Sequence, residues 1–157
     1  MSLRDIDAFF SRHRLVGLDS MVFLYQAQGL APYASACARV FEILTQSPGV
    51  GCTSTVTLPE VLVRPLRAGR LDLVHRYRML LSDSAIVGVL PVTESVAERA
   101  ALLRAQQGLR LADALQLAAV TLAGATGFIT NDAIFRRVRT PEVLMLDDVA
   151  EPSADAH

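Results

Sequence analysis

Asp19, Glu60, Asp113 and Asp132 each open, close or interrupt an otherwise apolar stretch of the chain. Asp19 ends the run Leu15-Val16-Gly17-Leu18, Glu60 follows Val56-Thr57-Leu58-Pro59, Asp113 lies within Leu111-Ala112-Asp113-Ala114-Leu115, and Asp132 follows Phe128-Ile129-Thr130-Asn131. A carboxylate beside a buried segment is costly unless it is paired or bound to a cation. Four of them point to one shared acidic pocket, and hard oxygen donors of this kind suit Mg²⁺ or Mn²⁺. Each acid also has a plain structural use. Asp19 and Asp132 can cap helix N-termini, and Glu60 and Asp113 can answer a helix macrodipole. The structural use is weakest for Asp113, which Leu and Ala surround.

The elements that must position these acids alternate between strand and helix. Apolar or Thr/Val-rich runs at Leu15 to Leu18, Cys52 to Thr55, Ala85 to Pro91, Thr126 to Thr130 and Glu142 to Leu146 read as five strands. Between them, Ser20 to Gln26 reads as a helical turn, Pro32 to Gln46 as an amphipathic helix opened by Pro32, and Pro59 to Leu66 as a short helix. Leu71 to Ser82, Glu94 to Gln107 (with Gly108 as its C-cap) and Leu111 to Ala123 read as helices, and Asp132 to Arg137 as a short one. Arg64 to Arg70 reads as a loop. Alternation of this kind implies βαβ crossovers. The expected architecture is therefore α/β, a three-layer α/β/α sandwich around a central, mostly parallel five-stranded sheet. Asp19 and Asp132 then fall at strand ends, with Glu60 just past the second strand and Asp113 in the helix leading to the fourth. Ligands of such sheets bind beyond the carboxyl ends of the strands, so all four acids can meet at one edge. One domain over residues 1–150 is expected. The chain should be polar and frayed from Asp147 onward, and a flexible tail at 151–157.

Composition narrows the chemistry. The chain has 157 residues, 52% of them hydrophobic, with a formal net charge of −1. That length suits one domain with a sizeable core, and the charge gives no nucleic-acid signal by itself. All 15 basic residues are Arg. Without Lys there is no P-loop, and phospho-receiver and haloacid-dehalogenase-like sites, which pair a Lys with their acids, become poor candidates. Arg forks, in contrast, match phosphate bidentately. Two Arg clusters stand out, Arg64, Arg67 and Arg70, and Arg136, Arg137 and Arg139. Of these, Arg136 and Arg137 are the better candidates to grip a phosphodiester, because they directly follow the Asp132 motif. Cys37 and Cys52 read as small core residues and His13, His75 and His157 as surface or boundary residues, too few and scattered for a zinc site. Leu117 to Phe128 is apolar but shorter than the ~20 residues a bilayer span requires, and the amino terminus lacks a signal-peptide core. A reduced, cytoplasmic setting is expected.

Four motifs in order resemble those of one family. Leu18-Asp19-Ser20-Met21-Val22-Phe23-Leu24-Tyr25, Thr57-Leu58-Pro59-Glu60-Val61-Leu62, Leu109-Arg110-Leu111-Ala112-Asp113-Ala114-Leu115-Gln116-Leu117-Ala118 and Phe128-Ile129-Thr130-Asn131-Asp132 are similar to the motifs of PIN domains, over about residues 14 to 148. The resemblance implies a metal-dependent endoribonuclease, most often the VapC-type toxin of a toxin–antitoxin pair. It implies that Asp19, Glu60, Asp113 and Asp132 hold one or two Mg²⁺ or Mn²⁺ ions, which activate a water and orient the phosphate, leaving 5′-phosphate and 3′-hydroxyl ends. It places Thr130 in a supporting role, with Ser20 and Asn131 as further supporting or capping groups. Gln116 departs from the pattern, since many relatives carry His there, and stays outside the catalytic set. The implied partners are RNA, an antitoxin protein and a second copy of the chain. The alternatives are a PIN-like domain that binds RNA or protein without cutting, and a PIN nuclease of RNA maturation rather than a toxin.

Overall fold

Every residue of the central strands β1 (Val16–Leu18), β2 (Gly51–Ser54) and β4 (Gly127–Thr130) is buried. Strands covered on both faces in this way belong to a parallel sheet. The computed structural model describes residues 2–150, so the tail expected at 151–157 and His157 lie outside the described residues. β3 (Gly88–Leu90) and β5 (Glu142–Met145) complete a five-stranded sheet of order β3-β2-β1-β4-β5. All four strand pairings are parallel, so the sheet is wholly rather than mostly parallel.

Helices cover both faces. On one side lie α1 (Leu3–Arg12), α2 (Ser20–Gln28), α3 (Ala34–Gln46), α4 (Thr57–Arg67), α5 (Leu71–Ser82) and α8 (Leu146–Val149), around a core that includes Phe9, Phe23, Phe41 and Tyr77. On the other lie α6 (Glu94–Gln107), α7 (Leu111–Leu122) and the 3₁₀ turn Ala133–Arg137, around Leu117, Val120, Phe128 and Phe135. The layers close tightly at β1. A Cβ on Gly17 would stand 2.7 Å from Val120 Cγ2 and 2.9 Å from Phe128 Cδ2. Only glycine lets α7 lie this close, and α7 carries Asp113.

Several expectations are corrected. Helix α1 is an addition to the expected elements, and Ile6, Phe9 and Phe10 recur at helical spacing to bury its inner face. Helix α3 starts at Ala34 rather than Pro32. Arg64 to Arg70 is not all loop. Helix α4 continues through Pro65 to Arg67, because Val61, Leu62 and Pro65 together form its buried side. The third strand is limited to Gly88–Leu90. The chain is not frayed from Asp147, since Leu146 and Val149 anchor a short helix in the core. Gly108 ends α6 in the left-handed conformation with φ 65°, as a C-cap glycine should.

Candidate active site

Strand β1 sits between β2 and β4, so the chain leaves it toward one side of the sheet and later returns on the other. The crevice at such a reversal is where doubly wound sheets bind ligands. Asp19 directly follows β1, and its N–H donates to the Ile129 carbonyl of β4 at 2.9 Å, which seats it beside Thr130. Asp132 follows β4, Glu60 is on the first turn of α4 after β2, and Asp113 is on the first turn of α7. All four acids therefore stand at helix starts, where backbone N–H groups and the dipole favour negative charge.

Each carboxylate has its own holder. Asp19 is buried, accepting from Thr130 Oγ1 at 2.6 Å and from the Ser20 N–H at 2.8 Å. Ser20 Oγ donates to Glu60 Oε2 at 2.8 Å, joining the first two acids. Asp132 caps the 3₁₀ turn by accepting from the Ile134 N–H at 3.0 Å. Arg110, at the N-cap of α7, spans the other pair: Nη2 donates to Asp132 Oδ2 at 3.0 Å, and Nε lies 3.3 Å from Asp113 Oδ2. The Nε contact is an ion pair without hydrogen-bond alignment, so Asp113 Oδ2 is a buried oxygen with no hydrogen-bond partner.

The electrostatics are those of one crowded cluster. Burial pushes Asp19 up to about 7, against the pull of Thr130 and Ser20, and the charges of Glu60 and Asp113 raise it further. Desolvation also raises Glu60, with Asp113 and Asp132 adding to the shift and Ser20 and Arg110 opposing it. Asp113 is raised first by desolvation and then by Asp132, with Arg110 opposing. Like charges that raise one another this way call for a cation.

The residues fit a hard divalent cation in donor chemistry. The set is all carboxylate oxygen, one oxygen is buried and orphaned, and the group carries surplus negative charge. Among the described residues, no three His, Cys, Asp or Glu side chains close on one point as they stand. Thr130, Ser20 and Arg110 hold the carboxylates in the geometry seen here.

Beneath the acids lies a buried polar network centred on Gln116. Its Nε2 faces the Leu18 carbonyl (3.1 Å), Thr53 Oγ1 (3.0 Å) and Thr57 Oγ1 (2.8 Å), whose oxygens share its two hydrogens. Its Oε1 accepts from the Ser54 N–H at 3.2 Å and from the Ser54 hydroxyl. Leu18 precedes Asp19, Thr57 lies one helical turn before Glu60, and Gln116 lies one turn after Asp113. The network thus ties together the three segments that carry those acids.

The other expected residues separate. Thr130 and Ser20 hold site carboxylates, but Asn131 turns away: it accepts from the Asp147 N–H at 2.8 Å and donates to Asp147 Oδ1 at 3.2 Å. Arg136 is spent on Asp148, at 2.8 and 3.0 Å. Arg137 donates to the Ile134 carbonyl. Arg64 lines a groove of about 340 Å³ together with Glu60, Tyr25 and Leu30, whereas Arg67 is exposed in the last turn of α4. Sequence reasoning missed Arg110, whose placement three residues before Asp113 was the available signal. Cys37 and Cys52 are core residues as expected, with burial raising both thiols to about 12.

The sequence matches the PIN domain family over residues 17–141. The chain belongs to the PIN domain family. Solved structures agree on the fold. A toxin–antitoxin complex from Klebsiella pneumoniae is 23% identical, with a TM-score of 0.61, 83% of this chain and 97% of that chain covered. VapC20 of Mycobacterium tuberculosis, a sarcin-ricin loop cleaving toxin, is 20% identical, with a TM-score of 0.65 and coverage of 82% and 98%. VapBC-5 of the same organism, a member of the VapBC family of toxin–antitoxin systems, is 26% identical, with a TM-score of 0.55 and coverage of 84% and 98%. No curated protein matches the chain in sequence. Among the described residues of this PIN domain, no helix is long and apolar enough to cross a membrane.

Proposed function

We propose that this PIN domain is a divalent-metal-dependent endoribonuclease, with Mg²⁺ or Mn²⁺ as its ion, and that it acts as the toxin of a toxin–antitoxin pair. The observation that carries the reading is the cluster of four mutually repelling carboxylates at the sheet's reversal point. A protein that only binds has no use for so much unbalanced charge. When bound, the ion supplies Lewis acidity for a water and for the phosphate it attacks. The chain's own residues supply the rest. Asp19, Glu60, Asp113 and Asp132 provide the oxygen donors. Thr130 and Ser20 fix Asp19 and Glu60, so that two of the donors are preorganised. The Gln116 network holds three of the donor segments in register. The toxin role draws on the fold shared with VapC20 and the VapBC proteins. With it come RNA as substrate, an antitoxin protein as partner, pairing with a second copy of the chain, and a cytoplasmic setting.

Purified protein incubated with single-stranded RNA should cut it in Mn²⁺ and not in EDTA, leaving 5′-phosphate and 3′-hydroxyl ends. Asp19→Asn should abolish cutting. RNA binding without cutting, together with no heat of Mn²⁺ binding, would leave a binding domain instead. Growth arrest on expression, relieved by the product of a neighbouring reading frame, tests the toxin role apart from the chemistry.

A further inference from the structure

Arg110 holds an unusual place in the site. Among the described residues, it is the one cation ion-paired with any of the four acids, and it touches two of them. Its side chain is 72% exposed, whereas those of Asp113 and Asp132 are 15% and 27% exposed. The guanidinium therefore lies across the mouth of the cluster, on its solvent side. It faces Asp113 Oδ2 and Asp132 Oδ2, so a divalent cation bound to those carboxylates would compete with the guanidinium for their charge. Ion pairs this exposed are worth little, so Arg110 gives way at small cost. Its backbone remains fixed at the N-cap of α7, so the displaced guanidinium stays at the mouth. The two arginines directly after the Asp132 motif are poorer candidates, since neither touches any of the four acids: Arg136 pairs with Asp148 and Arg137 with the Ile134 carbonyl.

We propose that Arg110 is the phosphate-gripping arginine of this site, held across Asp113 and Asp132 in the free protein and released to the RNA backbone when a divalent cation takes those two carboxylates. The proposal rests on the nuclease reading and adds a device to it. An arginine fork matches a phosphodiester oxygen pair well, but in the free protein this one is already satisfied. RNA grip at the site thus becomes conditional on the ion.

The first measurement is calorimetry with Mn²⁺ alone, without RNA, on the full chain. Arg110→Gln should bind Mn²⁺ about threefold to tenfold more tightly than the wild type, the worth of two exposed ion pairs. The second is RNA affinity by fluorescence anisotropy with a nuclease-resistant phosphorothioate RNA, which leaves all four carboxylates in place. At Mn²⁺ concentrations saturating by calorimetry, adding Arg110→Gln should weaken RNA binding at least about fivefold and lower the slope of log K against log salt by about 0.7. In EDTA the same substitution should change affinity less than about twofold, because Arg110 is then engaged with the acids. Equal Mn²⁺ affinity in wild type and Arg110→Gln overturns the proposal. So does a loss of RNA affinity that is the same with and without Mn²⁺, which would mark Arg110 as an ordinary surface contact. A wild-type chain that takes up no Mn²⁺ rejects the nuclease reading itself.

Discussion

At the amino-terminal end of the sheet, Glu142 is matched charge for charge. Arg12 Nη2 reaches its Oε1 at 2.7 Å, and His13 Nε2 reaches its Oε2 at 2.8 Å. The other His13 nitrogen meets Thr126 Oγ1 at 2.9 Å, and the ring packs against Phe9 with centroids 4.6 Å apart. His13 is thus a boundary residue, its side chain a nearly buried bolt between α1 and the starts of β4 and β5. Arg12 first, and then His13, hold Glu142 below the usual carboxylate range. At the carboxyl-terminal end, one arginine pairs with two of the four acids, and Asp19, Glu60 and Asp113 are all raised. One sheet therefore presents a satisfied acid at one end and a strained cluster at the other. The satisfied end ties α1 to the starts of β4 and β5. The cluster end leaves its carboxylates short of positive partners, a pattern that marks a candidate functional site.

The largest expected contrast between the ends is in chemistry. Asp113→Asn should lower RNA cleavage by about a thousandfold or more, the scale of losing a ligand of the reacting centre, whereas Glu142→Gln should leave the rate within about twofold. A gel assay on radiolabelled RNA measures both. Equal losses would erase the distinction. Next comes Gln116→Leu, which strips partners from Thr53, Ser54 and Thr57 inside the core. It should cost about 2–4 kcal/mol in urea unfolding, since several buried polar groups lose their bonds together.

Acidity provides a sharper test, because the two ends have opposite sign. Asp19 has its folded value raised to about 7, so the native state binds the extra proton between the unfolded value of 3.8 and that point. Its contribution is fully present below the unfolded value and is lost as pH rises through about 7. Metal-free protein should therefore lose stability from pH 4 to 7.5, and Asp19→Asn should flatten that fall and melt higher than wild type at pH 7.5. Glu142 runs the other way. Its folded value is lowered, so its contribution is present above the unfolded value and disappears as pH falls through the folded one. The smallest effect is the loss of its partly exposed pairs. Glu142→Gln should cost about 0.5–1 kcal/mol at neutral pH, less in high salt, as read by thermal melts.

Much of this architecture was legible in the residues. The order of strands and helices, the Gly108 cap, and the placement of Asp19 and Asp132 at strand ends follow from period, turn chemistry and the rules for crossovers. Local signals failed where a distant partner decided the outcome. Arg64 to Arg70 reads as a loop, yet burial of Pro65 beside Val61 and Leu62 carries α4 on to Arg67. The chain from Asp147 onward reads as polar tail, yet Leu146 and Val149 anchor Leu146–Val149 as a helix. Asn131 reads as a site residue, yet its partner is Asp147, 16 positions away.

The sequence by itself determined that four carboxylates would meet at one sheet edge, because each parallel crossover returns the chain to that edge whatever the intervening length. Only the tertiary structure decided how they are held. Thr130 against Asp19, Ser20 between two acids, Gln116 beneath three segments and Arg110 across the mouth are contacts between residues as many as 111 positions apart. A hydrogen bond is satisfied by geometry within about 3 Å. No spacing along a chain reports that distance until the sheet has closed.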